Sequence, residues 1–242
     1  MLKSAAISHF KSVSEAKLKF GKENVIVGPN GVGKSNIVDA LYFIRDAARE
    51  DLDFAVTKRH GIESIRQWSR TRPFNISIEL GFKAKDSSGS YRVVISSARG
   101  NFKVEEESAE WTGPISFLDN SGQSYTSSFK RSGDKIYLFS DFDKLQIPKE
   151  LPISHNDLFL TQIGSKGSSI ASIFFNSLSH EITSFAAYAI YPNTIRTPQS
   201  VSNEEMLSDT GSNLASIIKR MTTNTRRKSR ESLVDSLKAV LP

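Results

Sequence analysis

The absence of cysteine and of long apolar segments limits what this chain can be. A sequence of 242 residues with no cysteine excludes disulfide bonds and thiolate metal sites. No apolar run approaches the roughly 20 residues that a membrane-spanning helix needs. Lys3, His9 and Lys11 interrupt the amino-terminal stretch, which therefore lacks the apolar core of a secretory signal. Together these absences predict a cytoplasmic protein with no membrane partner.

The composition that is present is typical of a soluble globular protein. Hydrophobic residues make up 38% of the chain and charged residues 24%, and this length supports a core for one or two lobes. Lysine and arginine number 32 against 26 aspartates and glutamates, so the net charge is +6. This excess permits a DNA partner, although an ordinary basic surface would explain it equally well.

One stretch matches the phosphate-binding loop pattern G-x-x-x-x-G-K-S/T at every position, and Asn36 follows it. It reads Gly28-Pro29-Asn30-Gly31-Val32-Gly33-Lys34-Ser35. Before it, the apolar residues 25–27 predict a buried parallel strand. After it, helical spacing places Ile37, Ala40, Leu41, Ile44 and Ala48 on one face, and Asp39, Arg45, Asp46 and Arg49 on the other. The order of strand, glycine loop and helix is the context that such a site requires.

The residue types of this loop suit the phosphates of ATP bound with Mg²⁺. Glycine allows backbone angles that a Cβ would block, so main-chain N–H groups can approach phosphate oxygens. The helix that begins near Gly33 points its free N–H groups at the anion. Lys34 is expected to reach the β- and γ-phosphates, and the Ser35 hydroxyl is expected to bind Mg²⁺.

The sequence around the loop resembles the amino terminus of ABC-like ATPases of the SMC, RecF and OLD type. In residues 1–44, the phrase His9-Phe10-Lys11-Ser12 ends an opening strand, residues 24–36 contain the loop, and residues 38–43 follow as a helix phrase. Farther along, residues 191–196 and 207–214 resemble the "YP..lR … LS.dGsNLa" stretch of bacterial AAA-family ATPases. The two stretches lie near opposite ends of the chain, so the resemblance covers most of it.

This resemblance implies an α/β fold, namely the amino-terminal lobe of an ABC-ATPase-like P-loop NTPase head with a flanking antiparallel sheet and carboxy-terminal helices. It implies that Lys11, with Ser12 beside it, approaches the nucleotide phosphates. It also implies a homodimer that depends on ATP, and a role in DNA repair or antiviral defence with DNA, a nuclease or another effector as partner. Gln162 is a candidate second metal-supporting residue, by analogy with the glutamine that links lobe motion to Mg²⁺; the alternative is an ordinary surface glutamine.

Alternation of apolar and polar residues predicts an antiparallel meander after a polar surface connection at 58–68. Its strands are expected over residues 76–82, 91–95 and 102–104, following two strands within residues 2–20. The run at 135–141 is a candidate Walker B strand, in which an apolar run ends in an acid that supports Mg²⁺. Ser140 interrupts its apolar residues and it comes too early in the family order, so we interpret it as a further sheet strand.

The remainder of the chain is predicted to be mainly helical. Residues 148–152 are interpreted as a linker, and helices are expected over 170–185, 214–221 and 233–241, with a strand at 187–191. We therefore predict a nucleotide-binding lobe over residues 1–150 and a mainly helical extension over 151–242 that leads to a second lobe outside this sequence. The densest basic cluster comprises Arg226, Arg227, Lys228 and Arg230. A solvated loop between helices is the first interpretation of this cluster, and a contact for DNA is the alternative.

No convincing signature motif, Walker B acid or switch histidine is present, so the catalytic residues stay unassigned. ATP hydrolysis is expected of a complete protein, because positioning water and stabilising the transition state need groups not found here. A non-hydrolysing, ATP-gated scaffold that assembles an effector is the alternative. A P-loop kinase for a small molecule is a third interpretation, which the meander and residues 207–214 disfavour.

Overall fold

Strands with alternating apolar and polar residues form the largest element of the structure, which is a computed structural model. They are β1 (Leu2–Phe10), β2 (Val13–Lys19), β3 (Ile76–Lys83), β4 (Ser88–Ala98), β5 (Asn101–Pro114), β6 (Ser124–Ser132), β7 (Lys135–Ser140) and β8 (Leu145–Glu150). They form one sheet of eight strands in the order β2-β1-β3-β4-β5-β6-β7-β8. Every pairing between these described strands is antiparallel.

The structure describes residues 1–22, 24–71, 73–115, 122–142, 145–150, 153–166, 170–186, 188, 190, 192–204, 206–221 and 227–240. These residues form two compact units, Met1–Phe185 and Ala186–Pro242. Among the described residues, no helix is both long enough and apolar enough to cross a bilayer.

The meander predicted from period-two alternation is confirmed by β3, β4 and β5. Ile76, Ile78, Leu80 and Phe82 of β3 are all buried, while the residues between them are partly or fully exposed. One face of the sheet is thus committed to the core, and a slip of register by one residue would turn these side chains toward solvent. The strand interpretation of residues 135–140 is confirmed too, since β7 pairs with β6 on one side and β8 on the other.

The linker predicted at residues 148–152 is wrong over its described part, because residues 145–150 form β8. Pro148 stands opposite Tyr137 in this strand. Proline cannot donate a hydrogen bond to a neighbouring strand, but β8 lies at the edge of the sheet, where that donor is not needed. Residues 151 and 152 lie outside the described part of the chain.

Five helices belong to the first unit, as far as the structure describes it. They are α1 (Lys34–Arg49), α2 (Leu52–Thr57), α3 (Ile62–Ile65), α4 (Phe159–Lys166) and α5 (Ile170–Thr183). The apolar face predicted for α1 is confirmed in part, since Ala40 and Ile44 are fully buried and Ile37, Leu41 and Ala48 are partly buried against the core. Phe43 and Ala47, which the prediction left out, are fully buried as well. Helix α1 contacts α5 and the first two strands, and α5 contacts β4, β5 and β6. Each large apolar side chain buried in this layer contributes about 1.5–3 kcal/mol of transfer free energy.

A buried carboxylate connects the sheet to α4. Glu107 of β5 accepts hydrogen bonds from the backbone N–H groups of Phe159 (2.6 Å) and Leu160 (3.0 Å) and from the Tyr91 hydroxyl (3.1 Å). Arg131, its cross-strand neighbour on β6, lies 3.8 Å away, and both side chains are fully buried. Burial raises the pKa of Glu107, against the opposing effect of the two backbone donors and Arg131. The carboxylate therefore caps α4 from inside the core.

The second unit contains α6 (Pro192–Arg196), α7 (Leu214–Met221) and α8 (Arg227–Val240). Buried Asn213 organises the loop before α7. Its amide nitrogen donates to the Glu204 carboxylate (2.6 Å) and the Met206 carbonyl (2.9 Å), and its oxygen accepts from the N–H of Ser208 (2.8 Å). The asparagine of the stretch at 207–214 thus has a structural task within this loop.

The predictions for the second unit concern two helices, one strand and the basic cluster. The helices at 214–221 and 233–241 are confirmed by α7 and α8, apart from residue 241, which is not described. The predicted strand at 187–191 falls mostly outside the described residues, and residues 188 and 190 are not in a strand. The backbones of Arg227 and Lys228 start α8, but their side chains and all of Arg226 are outside the described part.

The two compact units differ from the predicted division at residue 150. Helices α4 and α5 pack with the sheet, because the apolar residues of α5, among them Phe175, Leu178 and Ile182, complete its core. The division into a nucleotide-binding lobe over 1–150 and a helical extension over 151–242 is thus not the division made by packing. As a division of function it stays a prediction.

Candidate nucleotide-binding site

The glycine loop leads directly into α1, in a conformation that depends on glycine. Gly33 precedes the helix with φ 100° and ψ 11°, and Gly31 has φ 82°. These left-handed angles disfavour any residue with a Cβ. A Cβ on Gly33 would also lie 2.9 Å from the Ser12 hydroxyl oxygen. The backbone N–H groups of Lys34 and Ser35 begin α1 without acceptors in a preceding turn, whereas that of Asn36 donates to the Gly33 carbonyl at 3.0 Å. Free N–H groups at a helix start are the arrangement that binds phosphate.

Lys34 lies folded against its own loop. Its ammonium donates hydrogen bonds to the carbonyl oxygens of Gly28 (2.6 Å) and Pro29 (2.7 Å). These two contacts hold the Lys34 ammonium against the loop, close to an anion that the loop's backbone N–H groups would bind. An ammonium has three donors. The described contacts of Lys34 leave its third donor for a ligand.

The turn between β1 and β2 packs beside the start of α1. The Asn36 side-chain amide donates to the Ser12 hydroxyl oxygen at 2.8 Å. Lys11, with a positive φ of 51°, places its ammonium 2.7 Å from a carboxylate oxygen of Asp39. The structure therefore brings Lys11, Ser12 and Asn36 together at the glycine loop. Their roles in nucleotide binding stay predictions.

A network of charged side chains, which the sequence pattern does not reveal, lies on α1 beyond its first turn. Asp46 contacts the side chains of Arg45 (3.0 Å), Lys58 (3.1 Å) and Arg59 (3.1 Å). Burial by itself would raise the pKa of Asp46, but the hydrogen bonds from Lys58 and Arg45 prevail and lower it. Arg59 also contacts Asp39 at 2.9 Å. The network therefore connects α1 with the end of α2.

Two predictions about exposure are corrected by this network. Arg45 and Asp46 were expected on a polar face of α1 and residues 58–68 on the surface, but Arg45 and Asp46 are each 4% exposed and Arg59 is 8% exposed. Ile62 and Ile65 are buried as well. Helix α2 and the segment after it contact this side of α1, so its charged residues pair with one another instead of with water. Asp39 and Arg49 are less buried and agree better with the prediction.

The buried parallel strand predicted before the loop is wrong for the described structure. Residues 24–29 are not in a strand, and Val25, Ile26 and Val27 are 86%, 41% and 83% exposed. A strand needs a neighbour for its backbone hydrogen bonds, and no described strand lies parallel to this segment. The loop is consequently open on this side.

The metal-supporting residues remain predictions. Among the described residues, no group of three or more histidine, aspartate or glutamate side chains could hold a metal ion. Mg²⁺ characteristically takes few protein ligands and completes its shell with substrate phosphates and water. Ser35, at the start of α1, fits that manner of binding. Gln162 lies in α4, where its amide donates to a carboxylate oxygen of Asp157 at 3.0 Å.

Comparison with known proteins agrees with this geometry. The family model described as "AAA ATPase domain" matches residues 1–239, nearly the whole chain. A segment of 84 residues is 34% identical to the "DNA replication and repair protein RecF" of Psychromonas ingrahamii. That match covers 34% of this chain and only 23% of the relative. The chain therefore belongs to the AAA ATPase domain family.

Proposed function

We propose that this chain is the ATP-binding lobe of an SMC/RecF/OLD-like ATPase, and that residues 28–36 bind the phosphates of ATP with Mg²⁺. The observation that carries the proposal is the left-handed Gly33 immediately before α1, with Lys34 folded into the loop. Lys11 and Ser12 lie beside this helix start and are proposed to contribute to the same site. Preformed backbone donors and two nearby ammonium groups favour a polyphosphate over a neutral ligand.

Calorimetric titration of the protein with ATP tests this proposal directly. Saturable binding is expected in the presence of Mg²⁺, and weaker binding is expected when the metal is chelated, because Mg²⁺ would be shared between Ser35 and the phosphates. AMP serves as the control, since it lacks the β- and γ-phosphates that Lys34 is proposed to contact. Equal affinity for ATP and AMP would contradict the assignment of the loop as a polyphosphate site.

We further propose that ATP joins two copies of the complete protein. The exposed residues 25–27 leave the loop open on one side, and closure by a second subunit would bring further groups to the γ-phosphate. ATP can favour the dimer only through a higher affinity for the closed state, so ADP should support it less well. Light scattering of the complete protein with ATP, with ADP and without nucleotide should give the largest mass with ATP. Equal mass under all three conditions would reject ATP-gated dimerisation.

DNA is the proposed macromolecular partner, in repair or in antiviral defence with a nuclease or effector subunit. The name of the relative from Psychromonas ingrahamii and the net charge of +6 support this choice. Binding to phosphate backbones should fall steeply with salt, with a log–log slope of about −0.9 for each phosphate contacted. Reversing the charges of Arg226, Arg227, Lys228 and Arg230 should flatten this slope in a fluorescence-anisotropy titration. An unchanged slope would exclude that cluster as the contact.

Hydrolysis distinguishes an ATPase from an ATP-gated scaffold. Release of phosphate by the complete protein with Mg²⁺ and DNA is expected of the ATPase. ATP-dependent assembly without phosphate release would instead favour the scaffold.

A further inference from the structure

Asp39 on α1 lies between two cations that differ in burial. The Lys11 ammonium is 2.7 Å from one carboxylate oxygen, and the Lys11 side chain is 31% exposed. Two nitrogens of Arg59, Nε and Nη2, each lie 2.9 Å from the other carboxylate oxygen, and the Arg59 side chain is only 7% exposed. The same carboxylate therefore has a partner near the solvent and a partner in the interior.

The interior partner is held in place by further contacts. Arg59 Nη1 donates to the Ala55 carbonyl (3.0 Å) and to Asp46 (3.1 Å), and its guanidinium lies 5.5 Å from the centre of the Phe43 ring. Moving Arg59 would leave buried acceptors unpaired, which is costly. Lys11 carries its charge on a flexible stem and is partly in water, so it can exchange partners at little cost.

The exposed partner lies close to the start of the helix. Ser35 and Asp39 are four residues apart on α1, which places them on the same face with a rise of about 6 Å between them. The turn that carries Lys11 contacts the same helix through the hydrogen bond between Ser12 and Asn36. A phosphate bound at the first turn of α1 would therefore compete with Asp39 for the Lys11 ammonium.

We infer that Asp39 is a holding site for Lys11: it pairs with the Lys11 ammonium in the absence of ATP, and the ammonium moves to a phosphate when ATP binds. Arg59 remains paired with Asp39 as its counter-ion in both states. The inference rests on the proposed nucleotide binding and adds to it two positioning residues that do not touch the nucleotide. Without Arg59, transfer of Lys11 to a phosphate would leave the Asp39 carboxylate unpaired. With Arg59 in place, the carboxylate keeps a charged partner in both states.

The test is a double-mutant cycle on ATP affinity, measured by calorimetry at constant salt. Asp39→Asn removes the competitor for Lys11, so ATP should bind about two- to fivefold more tightly, as expected for the loss of one partly exposed ion pair. In the Lys11→Ala background the same substitution should change ATP affinity far less, because no ammonium remains to be released. Asp86→Asn, an exposed site with the same change of charge, is the control and should have no effect.

Arg59→Lys provides an independent measurement if Asp39→Asn does not fold. A lysine at position 59 keeps the positive charge but cannot contact Asp39 through two nitrogens. Asp39 should then bind Lys11 more strongly, so ATP should bind about two- to fivefold more weakly. Circular dichroism and the melting temperature establish that each variant is folded.

The possible outcomes separate the two proposals. ATP binding by the wild-type protein, with Asp39→Asn neutral or weakening, would overturn the holding site and leave the nucleotide site standing. An equal gain from Asp39→Asn with and without Lys11 would also overturn it, because the effect would then be general electrostatics. A folded wild-type protein that binds no ATP would overturn both proposals.

Discussion

Lys34→Ala is expected to weaken ATP binding by about 1.5–3 kcal/mol, which corresponds to about ten- to a hundredfold in affinity. The ammonium already lies within the loop, 2.6 Å from the Gly28 carbonyl and 2.7 Å from the Pro29 carbonyl. Because the wild-type site is prearranged, most of the loss should be the missing charged contact to phosphate. Calorimetric titration of both proteins with ATP and Mg²⁺ measures the difference.

The matched control for this substitution is Lys85→Ala. Lys85 is exposed, lies between β3 and β4, and carries the same charge, so any effect of net charge alone appears in both variants. Lys34→Ala should leave the melting temperature nearly unchanged, since Lys34 is only partly buried and the exposed carbonyls of Gly28 and Pro29 can be hydrated. Equal ATP affinity of the wild-type and Lys34→Ala proteins would show that the loop is not the nucleotide site.

Glu107→Ala is expected to lower the free energy of unfolding by about 3–5 kcal/mol. The substitution removes the acceptor for the N–H groups of Phe159 and Leu160 and the carboxylate beside the fully buried Arg131. Arg131 keeps hydrogen bonds to the carbonyls of Gly133, Ser154 and Asp157, but its charge is left without a buried counter-ion. Unfolding by urea, followed by circular dichroism, measures the loss.

The neighbouring residue provides the control for this experiment. Glu106 lies on the opposite face of β5, is exposed, and pairs with Arg92 at 2.7 Å. Glu106→Ala should cost only about 0.2–1 kcal/mol, as other exposed ion pairs do. If both substitutions cost the same, the Glu107 carboxylate does not anchor α4, and the helix is held by its apolar contacts alone.

The sequence by itself determined the features that depend on neighbouring residues in the chain. The glycine loop could be recognised because backbone angles at Gly31 and Gly33, and the helix that starts at Lys34, are local properties. The meander could be recognised because a strand with one buried face must alternate with period two. The family resemblance drew on the same local stretches, and it was confirmed by the match over residues 1–239.

Tertiary structure decided which charged residues are exposed. Glu107 lies in β5, a strand that also contains exposed glutamates. It is buried and caps α4 because α4 and Arg131 pack against it. Arg45 and Asp46 have the spacing of a solvated helix face, because helical periodicity cannot show that the end of α2 packs beside Asp46 and that Phe185 packs beside Arg45. In both cases burial depends on packing between different elements, which the pattern within one strand or helix does not show.

The segment before the loop also depends on tertiary contacts, but here a segment predicted to be buried is exposed. Three consecutive apolar residues, 25–27, have the composition of a buried strand, yet in the described structure they are exposed and unpaired in any sheet. Strand formation depends on a neighbour that supplies backbone hydrogen bonds and covers the side chains, and no residue within the segment can provide it. The pairing of Lys11 with Asp39, 28 positions farther along the chain, is likewise a contact that only the packing of the first turn against α1 creates.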